Sequence, residues 1–204
     1  MSTMHTTAIA AMLLTAAGSV GAQAPSLPPP VDNTAAILQD IVATQAFEER
    51  VTQYANLHRL LEGPLPPLRV TTNVAANRAP VKALALRIQR VRANAGPGDI
   101  ITADVARLFR RSIRRALPPE QWAAIFEELA TDEEGTPVAH AVLRVNSEWP
   151  AHVPFDFVPP QLLRMLPPLP VELQYRIVGR SLVLWDHHAN LIVDFLAGAF
   201  VSGT

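Results

Sequence analysis

The densest ligand chemistry in the chain lies in three adjacent residues, Asp186, His187 and His188. Imidazole nitrogen and carboxylate oxygen together suit a divalent transition metal, and the sequence suggests no other cofactor. Neighbouring side chains in a tight loop point in different directions, however, so His187 and His188 do not readily share one ion. His140 and His152 stand elsewhere, and neither an H-x-x-x-H nor an H-E-x-x-H motif is present. The plainer alternative is a hairpin loop that happens to be polar.

A second candidate is the arginine set Arg107, Arg111 and Arg114, opposite Phe109 and Ile113 on one helix. Guanidinium groups arrayed this way suit a phosphate, an anionic headgroup or an acidic protein partner. The plainer alternative is a solvated helix face. The wider charge pattern is segregated. Residues 78–115 hold ten Arg and Lys against two Asp, whereas residues 116–135 hold six Asp and Glu with no basic residue. The acidic stretch is therefore a candidate neutralising neighbour.

Nucleophile elbows, phosphate-binding glycine loops, dinucleotide fingerprints and S-x-x-K are all missing from the sequence. Glu148 and Asp156 fall in an irregular proline-rich stretch, where spacing defines no acid–base pair. No catalytic residue is assigned, and the expectation is a non-catalytic protein. The formal net charge of −1 over 204 residues gives no bulk attraction to nucleic acid, so the partner expected is a protein. The chain has no cysteine, which excludes disulfides, thiol catalysis, Cys-ligated zinc and a lipidated anchor.

These residues need elements to position them. Residues 1–22 read as an export signal: a short apolar core, Ala8 to Ala17, is followed by small residues ending at Val20-Gly21-Ala22. The core falls short of the roughly 20 residues of a membrane span, so no transmembrane segment is expected after cleavage. Residues 23–33 are a proline-rich linker, and an exported, periplasmic address follows, as in a Gram-negative bacterium.

Residues 34–135 read as helical. One long helix has Asp32 or Asn33 as its N-cap, an apolar stripe from Ile37 to Leu61, and a left-handed Gly63 before Pro64. It is either a dimerisation helix or a long helix lying across the fold. The next helix opens at Pro80, a residue suited to the first helical position, and buries Val81, Leu84, Ile88 and Val91. A third is capped by Thr102, with Asp104 in its first turn and a core face of Val105, Leu108, Phe109, Ile113 and Leu117. A fourth follows Pro118-Pro119, presents Trp122, Ile125, Phe126 and Leu129, and closes at Gly135. Trp122, Phe126, Phe109 and Leu108 are expected to pack between consecutive helices.

Residues 136–204 read as an antiparallel β region. Pro137–Asn146 alternates like a half-buried strand, and residues 161–165 read as a turn or two of helix. Strands follow at Val171–Val178, Ser181–Asp186 and Leu191–Leu196, with Gly179-Arg180 as a two-residue loop. That loop pairs Leu173 with Asp186, Tyr175 with Leu184 and Ile177 with Leu182. A second turn at His188-Ala189 pairs Leu184 with Val193 and Leu182 with Phe195. Helices then cover the Tyr175–Leu184–Val193 face, and Arg176, Val183 and Asp194 form a row on the other. The fold class is α+β: N-terminal helices packed on a C-terminal antiparallel meander of three to four strands.

The tail, from Leu166-Pro167-Pro168-Leu169-Pro170 through Tyr175-Arg176-Ile177-Val178-Gly179-Arg180 to Leu191-Ile192-Val193-Asp194, resembles a group of uncharacterised exported bacterial proteins. The stretch Gly98-Asp99-Ile100-Ile101-Thr102 extends that likeness back to about residue 70. The hairpins alone are similar to small periplasmic proteins of nickel and cobalt homeostasis. Neither likeness implies an activity or a ligand set. Two functions follow as expectations. One is an exported protein that contacts a partner through the long helix or the arginine face. The other is a periplasmic metal-handling protein that uses the histidine loop.

Overall fold

Why the helices stop where they do is set by proline and by burial. The computed structural model describes residues 33–66, 72, 74–128, 130, 142–150, 153 and 158–200, all within one unit spanning 33–204. The expected export signal, residues 1–22, and nearly all of the expected linker lie outside them. Helix α1 (Thr34–Glu62) has 29 residues, about 43 Å at 1.5 Å each. Asn33 precedes it without a side-chain cap bond, and Gly63 is right-handed (φ −49°), not left-handed. The Gly63 amide still reaches the Arg59 carbonyl at 3.0 Å, so Pro64, which has no amide to donate, ends the helix.

Helix α2 (Val74–Val91) begins before Pro80, so proline does not open it. Pro80 falls in the second turn, where its missing N–H costs one helical bond. Leu84 and Ile88 are buried as the spacing predicts, with Ala85 beside them, but Val81 is half-buried and Val91 is exposed. Helix α3 (Ala103–Ala116) buries Val105, Phe109 and Ile113; Thr102 precedes it without a side-chain cap bond. Helix α4 (Pro119–Glu128) buries Trp122 and Phe126, and a single turn, α5 (Pro160–Leu163), carries Leu162. Gly135 and Leu129 lie outside the described residues. Trp122 meets Phe126 and Phe200, whereas Phe109 meets Phe47 of α1 and Tyr175 of the sheet. The aromatic residues therefore form two groups.

Strands β1 (Leu173–Val178), β2 (Ser181–Asp186) and β3 (Leu191–Leu196) form an antiparallel sheet in the order β1-β2-β3. The first hairpin has the register the two-residue loop dictates, from Val178 opposite Ser181 to Leu173 opposite Asp186. Gly179 takes φ +53°, the conformation such a loop requires. The first strand begins two residues later than expected. Of the expected strand Pro137–Asn146, residues 142–146 are not strand: Val142 is exposed and Asn146 turns with φ 63°. The rest of that segment lies outside the described residues.

The second hairpin differs from expectation halfway along. Asp186 opposes Leu191 and Trp185 opposes Ile192, but Leu184 opposes Asp194 and Leu182 opposes Leu196. Val193 is the extra residue of a β-bulge. The bulge carries Asp194 to the helix side of the sheet, away from Arg176. There the buried Asp194 carboxylate accepts the amides of Gly98, Ile100 and Ile101 at 2.8–3.0 Å. Phe195, not Asp194, completes the row with Arg176 and Val183. Arg176 meets the Gln174 side chain and lies 5.2 Å from the Trp185 ring centre.

The main core lies between the helices and the sheet face bearing Tyr175, Leu184 and Val193. A second cluster covers the opposite face with Trp149, Val153, Trp185 and Ile192. No helix among the described residues is long and apolar enough to cross a membrane.

Candidate metal centre

The buried arc of α1 runs Phe47, Val51, Tyr54, Ala55 and His58, stepping by helical spacings toward the C-terminal end. One turn beyond His58, Glu62 occupies the same side of the helix. The β2–β3 turn (residues 187–190) meets this end of α1. Asp186 closes the turn through its side chain: Oδ1 accepts the His188 amide at 3.0 Å and the Ala189 amide at 2.8 Å. Asn190, at φ 54°, returns the chain to β3.

Asp186 is fully buried, and its Oδ2 faces α1. Tyr54 donates its hydroxyl to Oδ2 at 2.7 Å, and His58 donates from Nδ1 at 2.6 Å. Both carboxylate oxygens are thus satisfied. Burial by itself pushes the Asp186 carboxyl upward, but the bond and charge of His58, the Ala189 amide and Tyr54 outweigh it and hold the group below its ordinary value. The Tyr54 hydroxyl is pushed well above its ordinary value, first by burial and then by Asp186, so it stays neutral. For His58, burial opposes the charged ring, while Asp186, Glu62 and Glu172 together raise it above its ordinary value.

With Nδ1 committed to Asp186, His58 presents Nε2 to the gap between α1 and the turn. That nitrogen is buried and has no hydrogen-bond partner, although Glu62 Oε2 lies 3.3 Å away. The other Glu62 oxygen is 3.6 Å from His188 Nδ1, and the three donors lie within 4.8 Å of one another. A tetrahedral ion with bonds of about 2.0–2.1 Å spaces its ligands by about 3.3–3.4 Å. The His58–Glu62 separation, on one carboxylate oxygen, matches that value, and the Glu62–His188 separation, on the other oxygen, is slightly longer. A carboxylate on the far nitrogen of a ligating histidine is the usual device that fixes its tautomer and orientation. Close by, Glu172 takes Arg59 on both oxygens at 2.6 and 3.1 Å, tying α1 to the start of the sheet.

The expected trio of Asp186, His187 and His188 therefore divides. His188 faces Glu62 and His58. His187 turns away, its Nε2 lying 2.8 Å from the Val171 carbonyl. Asp186 supports His58 and has no oxygen free for an ion. His58 and Glu62 were not among the sequence candidates. The available signal was a histidine on the buried arc of a helix with a carboxylate four residues on.

The arginine set also divides. Arg107 pairs with Asp104 and Arg111 with Asp40 of α1, while Arg114 is exposed. These acidic partners come from α3 itself and from α1, not from acid-rich α4. Comparison with protein-family models, curated proteins and solved structures gives no match.

Proposed function

We propose that the protein binds a divalent first-row transition ion, of the Zn²⁺, Ni²⁺ or Co²⁺ class, through His58, Glu62 and His188. The observation that carries this reading is the buried His58 Nε2, which makes no hydrogen bond, on a ring held through Nδ1 by Asp186 and with the Glu62 and His188 donors beside it. Two imidazole nitrogens and one carboxylate favour borderline metals over calcium or magnesium, which prefer oxygen. The reading keeps His188 from the sequence candidates and replaces its two neighbours as ligands. Zinc titration of the full chain by calorimetry tests it. One ion should bind in the parent and in His187→Ala, weakly in Glu62→Ala and His188→Ala, and not in His58→Ala. Equal binding by parent and His58→Ala overturns the reading.

A second reading, contact with a protein partner through α1, is favoured by an apolar patch. Ile37, Leu38, Ile41 and Val42 sit exposed on its first turns, beyond the stretch that enters the core. If the partner is a second copy, mass by light scattering rises with concentration and Ile41→Glu abolishes the rise. A mass unchanged by either excludes self-association. We further propose an address outside the cytoplasm after removal of residues 1–22, supported by the short apolar core Ala8 to Ala17 and the small residues ending at Ala22, and a mature start at Gln23 by mass spectrometry is the expected result. An intact Met1 in the soluble fraction contradicts that address.

A further inference from the structure

The donors of the candidate metal centre are unevenly buried. The His58 side chain is 0% exposed, whereas those of Glu62 and His188 are 46% and 39% exposed. An ion held by the three has a protein floor and two rim ligands, so its remaining side faces solvent. The nearest other carboxylates are already committed. Asp186 receives four hydrogen bonds, two on each oxygen, and Glu172 has both oxygens on Arg59. His187 is directed at the Val171 carbonyl. Among the described residues, only three side chains gather as ligands here. A four-coordinate ion then keeps one position that the described residues do not fill, which is the pattern of zinc sites that receive an exogenous ligand.

Resting on the metal reading, we infer that this fourth position takes a small anionic ligand directly on the ion. Two neutral imidazoles and one carboxylate leave a divalent ion with a net charge of about +1, which attracts an anion. Among the described residues, the acids nearest the rim other than Glu62, itself a ligand, are already paired. The protein would then be a metal-dependent binder of small anions, with the ion as the recognition element.

Cobalt absorption tests this in the full chain, because visible Co²⁺ bands respond to a change of ligand. The parent is loaded with one equivalent of Co²⁺ and titrated with azide. A saturable change in the bands is expected, and it should persist in His187→Ala. If Co²⁺ binds in a His58-dependent way but azide changes nothing, the fourth position is closed and the inference fails while the metal reading stands. An azide response that appears only in His187→Ala also overturns it, by making His187 the fourth ligand. Co²⁺ that fails to bind removes both. Glu62→Gln, on the exposed rim, supplies a variant whose folding is not in doubt: it should weaken Co²⁺ binding and alter the azide-bound spectrum.

Discussion

At Asp186, one carboxylate holds together a helix, a strand and a turn. It accepts from Tyr54, His58 and two turn amides without access to water. Asp186→Asn substitutes an amide whose nitrogen must face donors, and it removes the buried counter-charge on His58 Nδ1. Breaking a buried charged pair from one side typically costs about 3–5 kcal/mol. A loss of about that size is expected by urea denaturation of the metal-free protein, and a loss below about 1 kcal/mol contradicts the bonding described. Glu172 makes a separate, pH-dependent contribution. Burial pushes its carboxyl up, but the Arg59 hydrogen bonds and charge win and hold it below its ordinary value of 4.5. A depressed acid stabilises the fold fully above its unfolded value, and that contribution is lost as pH falls through the lower, folded value. Stability should therefore fall below about pH 4.5, and less steeply in Glu172→Gln than in the parent. Parallel acid limbs in the two proteins contradict this.

At the scale of elements, the β3 bulge does the work that a regular strand would not. It places Asp194 where the loop before α3 needs an acceptor for three amides. Asp194→Ala leaves the buried Ile100 and Ile101 amides and the half-buried Gly98 amide unpaired, at about 1–3 kcal/mol for each buried group. A loss of at least about 3 kcal/mol is expected, with faster amide exchange at Gly98, Ile100 and Ile101. Exchange unchanged at these three contradicts the role. Trp122 is a different kind of anchor. Its ring packs on Phe126 and Phe200, and its Nε1–H reaches the Ile113 carbonyl at 3.1 Å. Trp122→Ala should cost about 3–5 kcal/mol in the same assay, as large core truncations do. A loss below about 1 kcal/mol contradicts its place in the core.

These elements also show what pattern alone makes legible. Alternation and the Gly179 loop determine β2, the first hairpin and the turn end of β3, because burial of Tyr175 and Leu184 penalises any slip. The bulge was not legible, since its cause is a hydrogen-bond demand from residues 98–101, nearly a hundred positions away. Apolar spacing also identified α3 and the buried residues of α4, but proline misled at α2, where tertiary packing tolerates one lost bond. His58 is not legible as a ligand in the sequence, because a single polar residue on an apolar arc reads as a break in the stripe. Only the approach of the β2–β3 turn makes it a ligand.

For the whole molecule, two ends of α1 have different fates. Its C-terminal half enters the core and brings His58 and Glu62 to the sheet, while its first turns keep Ile37, Leu38, Ile41 and Val42 exposed. The α+β architecture thus has a candidate metal centre at one end of its longest helix and an apolar surface at the other. The central claim is that His58, Glu62 and His188 converge on one ion. X-ray absorption at the zinc edge of the full chain, loaded with one equivalent, tests it most directly. The account predicts two imidazole nitrogens at about 2.0–2.1 Å with oxygen completing the shell, and one imidazole fewer in His188→Ala. A shell without imidazole, or one that loses its imidazole in His187→Ala but keeps both in His188→Ala, contradicts it.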